Sequence, residues 1–282
     1  MEFKISKSRF KGPFNLKLTL DSDQCPSDIW CLKNGKYTTF IGLKNNWIPI
    51  TIWEARKNLF FECKKDISEK LLYHFWSDYD LLKFYSEFTS DKYISKAINF
   101  CQGLRLMRDW DINYRMTEAI LTQNASVKQI RNMEGNLRNF YGNQHTFNLE
   151  KIANTDEEEI QKKCKVGYRA KYLINVARKI LNNELNIEQI RKMDSSNARK
   201  LLTSIDGIGV KVADIILLYG FGKIDTFPMD VWLRRALIRE YFKGEQTSDK
   251  RLREFALNYF GNHAGIAHLY MFYYERKIKS SQ

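Results

Sequence analysis

Apolar and polar residues alternate in short stretches near the start of the chain, whereas apolar residues recur three and four apart through most of the chain beyond residue 65. The stretches 14–20 (FNLKLTL), 36–43 (KYTTFIGL), 47–54 (WIPITIWE) and 59–63 (LFFEC) therefore read as half-buried strands. Asn34-Gly35, Asn45-Asn46 and Lys57-Asn58 are the turn signals between them. Three of the four prolines (Pro13, Pro26, Pro49) fall here and none occurs between Pro49 and Pro228, as a long helical remainder requires. The pattern predicts an α+β chain: an antiparallel β domain with accompanying helices over 1–90, a boundary at Ser90-Asp91, and a helical domain over 91–282.

Helical periodicity runs through SEKLLYHFW, DLLKFYSEF, YISKAINFCQGLRLMRDW and INYRMTEAIL, then breaks at 123–126, where Ser126 suits an N-cap. NTDEEEIQKK reads as a capped helix, KVGYRAKYLINVARKIL as a glycine turn entering a basic amphipathic helix, and the last thirty or so residues as helix broken near 261–265. The segment 201–230, LLTSIDGIGVKVADIILLYGFGKIDTFPMD, carries the most information. An apolar helix end (Leu201, Leu202, Ile205) meets Gly207-Ile208-Gly209, a spacing that allows positive φ and close backbone approach. A second helix starts near Val210, burying Val212, Ile215, Ile216 and Tyr219, with Lys211 in its first turn. The exposed amides of such a helix start attract an anion, and with no Walker-type GKS/T the expected anion is a nucleic-acid phosphate. Gly220 and Gly222 end that helix, Pro228 stiffens the loop, and Asp230 stands ahead of the amphipathic run VWLRRALI, where an aspartate can also serve simply as a cap.

At 282 residues and 44% hydrophobic content the chain can bury a full core without disulfides. A formal charge of +13 favours a polyanionic partner. There is no run of eighteen apolar residues and no apolar leader, so an intracellular soluble protein is expected, in cytoplasm or nucleoid if prokaryotic. The cysteines (Cys25, Cys31, Cys63, Cys101, Cys164) are odd in number, show no C-x-x-C spacing and stop at Cys164, which argues against a structural zinc or an iron–sulfur cluster after the hairpin. Only four histidines occur, without the H-x-E and C-x-x-C of zinc deaminases.

The combination GIGVKVAD and PMDVW resembles the helix-hairpin-helix superfamily of DNA base-excision glycosylases, whose signature joins the hairpin glycines and lysine to a downstream P-x-D. GLRLMRDW, ILTQNAS, GYRAKYL and HAGIAHLYMFYYE extend the resemblance over most of 95–275, toward the 8-oxoguanine DNA glycosylases. That resemblance implies a TBP-like antiparallel sheet ahead of the helical domain, and assigns roles. Lys211 is the nucleophile that forms a Schiff base. A free lysine of pKa about 10.4 is protonated at neutral pH, so burial and the helix end are expected to lower it. Asp230 is the carboxylate that stabilises developing positive charge on the sugar. Phe272 is the base-stacking phenylalanine and His268, one turn earlier, stands where a glutamine reads the Watson–Crick edge. Ile215 replaces a cysteine on the opposite wall, Cys25 stands at or beside a glycine whose carbonyl accepts the N7 hydrogen of 8-oxoguanine, and Pro228, Met229 and Tyr219 complete the lesion pocket. Asn124 enters the vacated stack, Tyr168 is the wedge and Arg169 one of two arginines holding the opposite cytosine. Gln129 stands where the second would be, so weak opposite-base selectivity is expected. Gly207, Gly209, Val210, Val212 and Trp232 are the remaining expected DNA contacts.

The resemblance requires no cofactor and leaves open a monovalent or divalent cation at the hairpin carbonyls. It implies a monomer acting on double-stranded DNA with a damaged base, with no membrane. Two other readings stay open: a glycosylase for another lesion such as an alkylated purine, and a non-catalytic helix-hairpin-helix module, which would have no use for Lys211 with Asp230. A basic interaction scaffold is a third.

Overall fold

The computed structural model describes residues 1–22, 24, 30–43, 46–143 and 145–279. Five strands, β1 (Glu2–Ser6), β2 (Cys31–Lys33), β3 (Lys36–Leu43), β4 (Asn46–Ala55) and β5 (Asn58–Glu62), form one antiparallel sheet in the order β1-β5-β4-β3-β2. Asn34 (φ 52°) and Gly35 (φ 74°) make the two-residue turn that sets Lys33 opposite Lys36, since positive φ at both central positions matches the twist of a hairpin. The next turn uses Arg56-Lys57 rather than Lys57-Asn58, because Ala55 pairs with Asn58 and Arg56 (φ 54°) takes the left-handed position. Of the Asn45-Asn46 turn signal, Asn45 lies outside the described residues. Pro49 precedes the β4 residues that pair with β5 (51–55), so its missing N–H falls where β4 has a partner on one side only.

The first expected strand is a helix, Leu16–Leu20. Asn15 accepts from the Leu18 N–H at 3.0 Å and Glu54 Oε2 from the Leu16 N–H at 2.9 Å, so two orphan donors of a helix start are satisfied, one from a residue far along the chain. Leu16 and Thr19, three apart, are then the buried face, which FNLKLTL satisfies as well as it satisfies alternation. The vacant sheet position belongs to β1, where Ile5 is buried opposite Leu59 and Phe3 stacks on Phe61 at 5.2 Å.

The described residues divide into two compact units, one drawn from 1–110 and 224–279 and the other formed by Asp111–Lys223. This differs from a division at 90/91, because the closing helices Val231–Tyr241, Asp249–Phe260 and Ala264–Lys279 belong with the sheet. Tyr93 Oη donates to Glu275 Oε1 at 2.7 Å, and the Tyr85 and Tyr270 hydroxyls meet at 2.7 Å. The sheet's core is Ile5, Ile41, Ile52, Leu59 and Phe61 with Leu71 and Phe75 of the first helices.

The expected long helix over YISKAINFCQGLRLMRDW stops at Phe100. Gly103 (φ +83°) passes so close to the chain that a Cβ there would stand 2.9 Å from the Asn15 nitrogen. Arg105, 2% exposed, then donates from Nε to the Pro13 carbonyl (3.1 Å), from Nη1 to Trp76 (2.6 Å) and Tyr79 (2.9 Å), and from Nη2 to Lys11 (2.7 Å). His74 stacks on Trp110 at 4.1 Å and its Nδ1–H donates to the Arg108 carbonyl. Burial pushes its pKa down to about 3.

Candidate active site

In the Asp111–Lys223 unit the hairpin forms as the glycine spacing predicts. The helix Ser195–Thr203 ends, Gly207 turns with φ +92°, and Gly209 caps the helix Val210–Ile215, which continues as a wider turn over Ile216–Gly220. Gly207 is dictated by space as well as by φ: a Cβ would lie 2.3 Å from Cγ of Tyr172. The turn is held from behind by side chains, with Gln123 Nε2 donating to the Gly207 carbonyl at 3.0 Å and Asn175 Nδ2 to the Asp206 carbonyl at 3.2 Å. Arg199 Nε donates to Asp214 Oδ1 at 2.6 Å, joining the two hairpin helices across a fully buried carboxylate. Sequence reasoning missed this pair, although an aspartate on an otherwise apolar helical face was the signal for a buried partner.

Lys211 is half-buried in the first turn of the second helix, beside exposed Val210 and Gly209. Ile215 (9% exposed) and Tyr219 are on the buried face, as expected, and the Arg115 guanidinium lies 5.5 Å from the Tyr219 ring. Val212, expected at the DNA, has its side chain in the core, because it shares the helical face of Ile215 and Ile216.

The same unit brings Asn124, Tyr168 and Arg169 together. Asn124 is exposed with φ 44°, and its Nδ2 donates to the Tyr168 hydroxyl at 3.2 Å. Tyr168 is itself exposed and stands edge-on to Tyr172. Arg169 is different from its expectation: it is buried and bonded to backbone. Its Nε donates to the Gln123 carbonyl at 3.0 Å, Nη1 to Val166 at 3.1 Å, and Nη2 to Asn124 at 3.3 Å and again to Gln123. Gln129 closes a capping box with Ser126, accepting from the Ser126 N–H at 2.8 Å through Oε1, so Ser126 is the N-cap that the sequence predicts.

In the other unit Asp230 caps the helix Val231–Tyr241, with Oδ1 accepting from the Leu233 N–H at 2.8 Å. The cap fixes the carboxylate's position at the start of that helix. Pro228 is buried, and Met229, Asp230 and Trp232 are half-buried. On the helix Ala264–Lys279 the rings of His268 and Phe272 stack at 6.0 Å and 11°, the expected same-face pair. Phe227 stands perpendicular to His268 at 5.7 Å, and Arg276 lies 5.2 Å from the Phe272 ring. His268 is buried and Phe272 half-buried. Cys25 lies outside the described residues. Among the described residues no group of three or more His, Cys, Asp or Glu is placed to hold a metal ion. Lys211 belongs to one compact unit and Asp230 to the other.

The model of the HhH-GPD superfamily of base excision DNA repair proteins matches residues 117–260. A probable N-glycosylase/DNA lyase of Methanothermobacter thermautotrophicus is 30% identical over 94% of this chain and 95% of its own length. The structure of MBOgg1 in complex with a low-affinity DNA ligand matches with a TM-score of 0.86 at 28% identity, over 99% of this chain and 96% of that one. The 8-oxoguanine glycosylase/lyase of Clostridium acetobutylicum, solved with double-stranded DNA containing cytosine opposite 8-oxoG, matches with a TM-score of 0.80 at 27% identity, over 95% of this chain and 93% of that one.

Proposed function

This chain belongs to the HhH-GPD superfamily of base excision DNA repair proteins, and from that premise we propose that it is a bifunctional DNA glycosylase and β-lyase that excises 8-oxoguanine from duplex DNA. The observation that carries the reading is the lysine itself: Lys211 sits half-buried in the first turn of the hairpin's second helix, where a non-catalytic module needs no amine. The relatives named as N-glycosylase/DNA lyase and 8-oxoguanine glycosylase/lyase support it.

The neutral Lys211 amine attacks C1′ of the everted nucleotide, and the electron pair of the glycosidic bond leaves with the base, which takes up a proton. Positive charge develops on the sugar as that bond breaks, and the Asp230 carboxylate, anchored through the Leu233 N–H, stabilises it. Opening of the sugar ring gives the Schiff base, loss of a C2′ proton expels the 3′ phosphate, and hydrolysis frees the lysine. Phe272 offers the base a stacking face and His268 a polar edge. Asn124 and Tyr168 fill the opened stack. Both reacting groups are side chains, so no cofactor is needed, and a monomer suffices. With Gln129 in place of a second arginine, selectivity for the base opposite is weak.

Borohydride trapping on an 8-oxoguanine duplex tests the reading. The wild type forms a covalent adduct and Lys211→Gln forms none while still binding the duplex. Trapping that persists in Lys211→Gln removes the lysine assignment. Release of an alkylated purine without any adduct moves the protein to a monofunctional glycosylase.

A further inference from the structure

The unit drawn from 1–110 and 224–279 contains a cavity of about 340 Å³ whose lining includes Tyr79, Glu87, Phe88, Asn258, Tyr259 and His263. That volume is at the small end of the range of about 300–1,000 Å³ that encloses small-molecule ligands. Two stretches far apart in sequence build it: the helix Leu81–Glu87 with its flanking residues, and the end of the helix Asp249–Phe260 with the turn Gly261–His263. The His263 imidazole lies 5.7 Å from the Phe84 ring and edge-on to Phe88 at 6.2 Å. Both of its nitrogens are used, Nε2 meeting Glu87 Oε2 at 3.1 Å and Nδ1 meeting the Tyr79 hydroxyl.

The carboxylate end fixes the order of protons along this chain. An ionised carboxylate only accepts, so Nε2 carries the hydrogen, Nδ1 of the neutral ring accepts, and the Tyr79 O–H donates to it. Burial and the Glu87 charge raise the pKa of Tyr79, which keeps that phenol protonated. With its one hydrogen engaged, the Tyr79 oxygen offers the cavity lone pairs alone. Tyr259 is in the same condition, because its hydroxyl donates to Asp91 Oδ2 at 2.7 Å. Glu87 Oε1 is a further acceptor, and the Lys83 ammonium one turn earlier stands 3.8 Å from it, outside hydrogen-bond reach. The helix Asp249–Phe260 brings the negative end of its dipole to the same place, while the nearby Gly261 and Gly265 N–H groups already donate to the Leu257 and Ile224 carbonyls. Acceptors beside the rings of Phe88 and Tyr259 are what an ammonium on an aliphatic chain requires, since it can only donate and is attracted to aromatic faces.

We propose that this cavity binds a small alkylammonium ligand of the aliphatic diamine class, with Glu87 Oε1 as its anchor, and that Lys83 competes with the ligand for that carboxylate. Asn258 and Asn262 turn their carboxamide oxygens to the ligand. No residue with a part in the proposed glycosylase chemistry lines the cavity, so occupancy and base excision are tested apart.

Calorimetric titration of the full chain with diaminopentane at constant ionic strength measures the affinity, and the side-chain amide NMR signals of Asn258 and Asn262 in isotope-labelled protein locate it. The wild type is expected to bind one equivalent and to shift both signals. Glu87→Gln weakens binding about tenfold, through loss of a charge-assisted hydrogen bond. Lys83→Gln tightens it about threefold by removing an exposed competing cation. The two side chains are 42% and 67% exposed, so neither change threatens folding. Glu184→Gln, which removes an exposed carboxylate of the other unit, binds as the wild type does. Equal losses in Glu87→Gln and Glu184→Gln, the signature of general charge attraction, overturn the proposal. Unchanged affinity in Glu87→Gln does the same, as do shifts that leave both asparagine signals in place or equal binding of uncharged pentanol. Nα-acetyl-lysine methylamide presents the same ammonium on a protein side chain, and tighter binding of it than of the diamine overturns the free-ligand assignment in favour of a partner's lysine.

Discussion

Arg105 and Arg169 are the same device used in two regions with opposite purposes. Each guanidinium is buried and surrounded by backbone carbonyls: Arg105 by those of Lys11, Pro13, Trp76 and Tyr79, Arg169 by those of Gln123, Asn124 and Val166. Arg105 lies in a run of buried residues, Leu104, Leu106 and Met107, and bonds to the carbonyl of buried Trp76. The segment it anchors continues to Trp110, against which His74 stacks, and the result is a fixed junction between the start of the chain and the helices after the sheet. Around Arg169 the carbonyls are inward but the side chains are outward, with Asn124 and Tyr168 exposed and Asn124 in a left-handed conformation. A buried cation bonded to carbonyls therefore stabilises the first region and shapes a surface in the second.

Arg105→Lys should have the largest effect on stability. An ammonium, with three N–H donors on one nitrogen, cannot serve four carbonyls from two parts of the chain at once, and leaving buried acceptors without donors beside a buried charge costs about 5 kcal/mol. Urea unfolding measures it, and the folded fraction should excise at the wild-type rate. A loss below about 1 kcal/mol would show that the junction holds without the fork.

Next comes acid. His74 is neutral when folded, with a pKa near 3 against an ordinary value of about 6.5, so its contribution is complete above pH 6.5. As pH falls from 6.5 toward 3 the unfolded chain binds the proton first, and about 4 kcal/mol of stability is lost across that window. Unfolding curves at pH 7, 5 and 4 should slope less steeply for His74→Gln than for wild type. Parallel slopes would mean that other groups carry the acid sensitivity of this region.

Arg169→Lys should be the mildest for stability, about 2 kcal/mol, because its loops are partly solvated, yet it should lower single-turnover excision about tenfold as Asn124 leaves its conformation. The contrast with Arg105→Lys is stability without rate in one region, and rate with little stability in the other. If Arg169→Lys excises normally, the Asn124 loop is not shaped by Arg169.

Much of this was legible along the chain because it is local. The type I′ turn at Asn34-Gly35, the Ser126 cap, the Gly207 hairpin, the buried stripe through Ile215 and Tyr219, the cap at Asp230 and the His268–Phe272 pair all depend on residues within a few positions of one another. The same locality made the family signature readable. Tertiary structure decided what depends on distant partners. FNLKLTL fits both periods, and Glu54, reaching the Leu16 N–H, accompanies the helix that forms. Gly207 admits no side chain because Tyr172, thirty-five residues earlier, covers it. Arg169 falls in a segment that the resemblance assigns to the opposite cytosine, but whether a guanidinium faces a base or a ring of carbonyls is set by where two loops fold. Hydrogen-bond partners of long side chains carry no periodicity, so a sequence names the donor and only the folded chain names the acceptor.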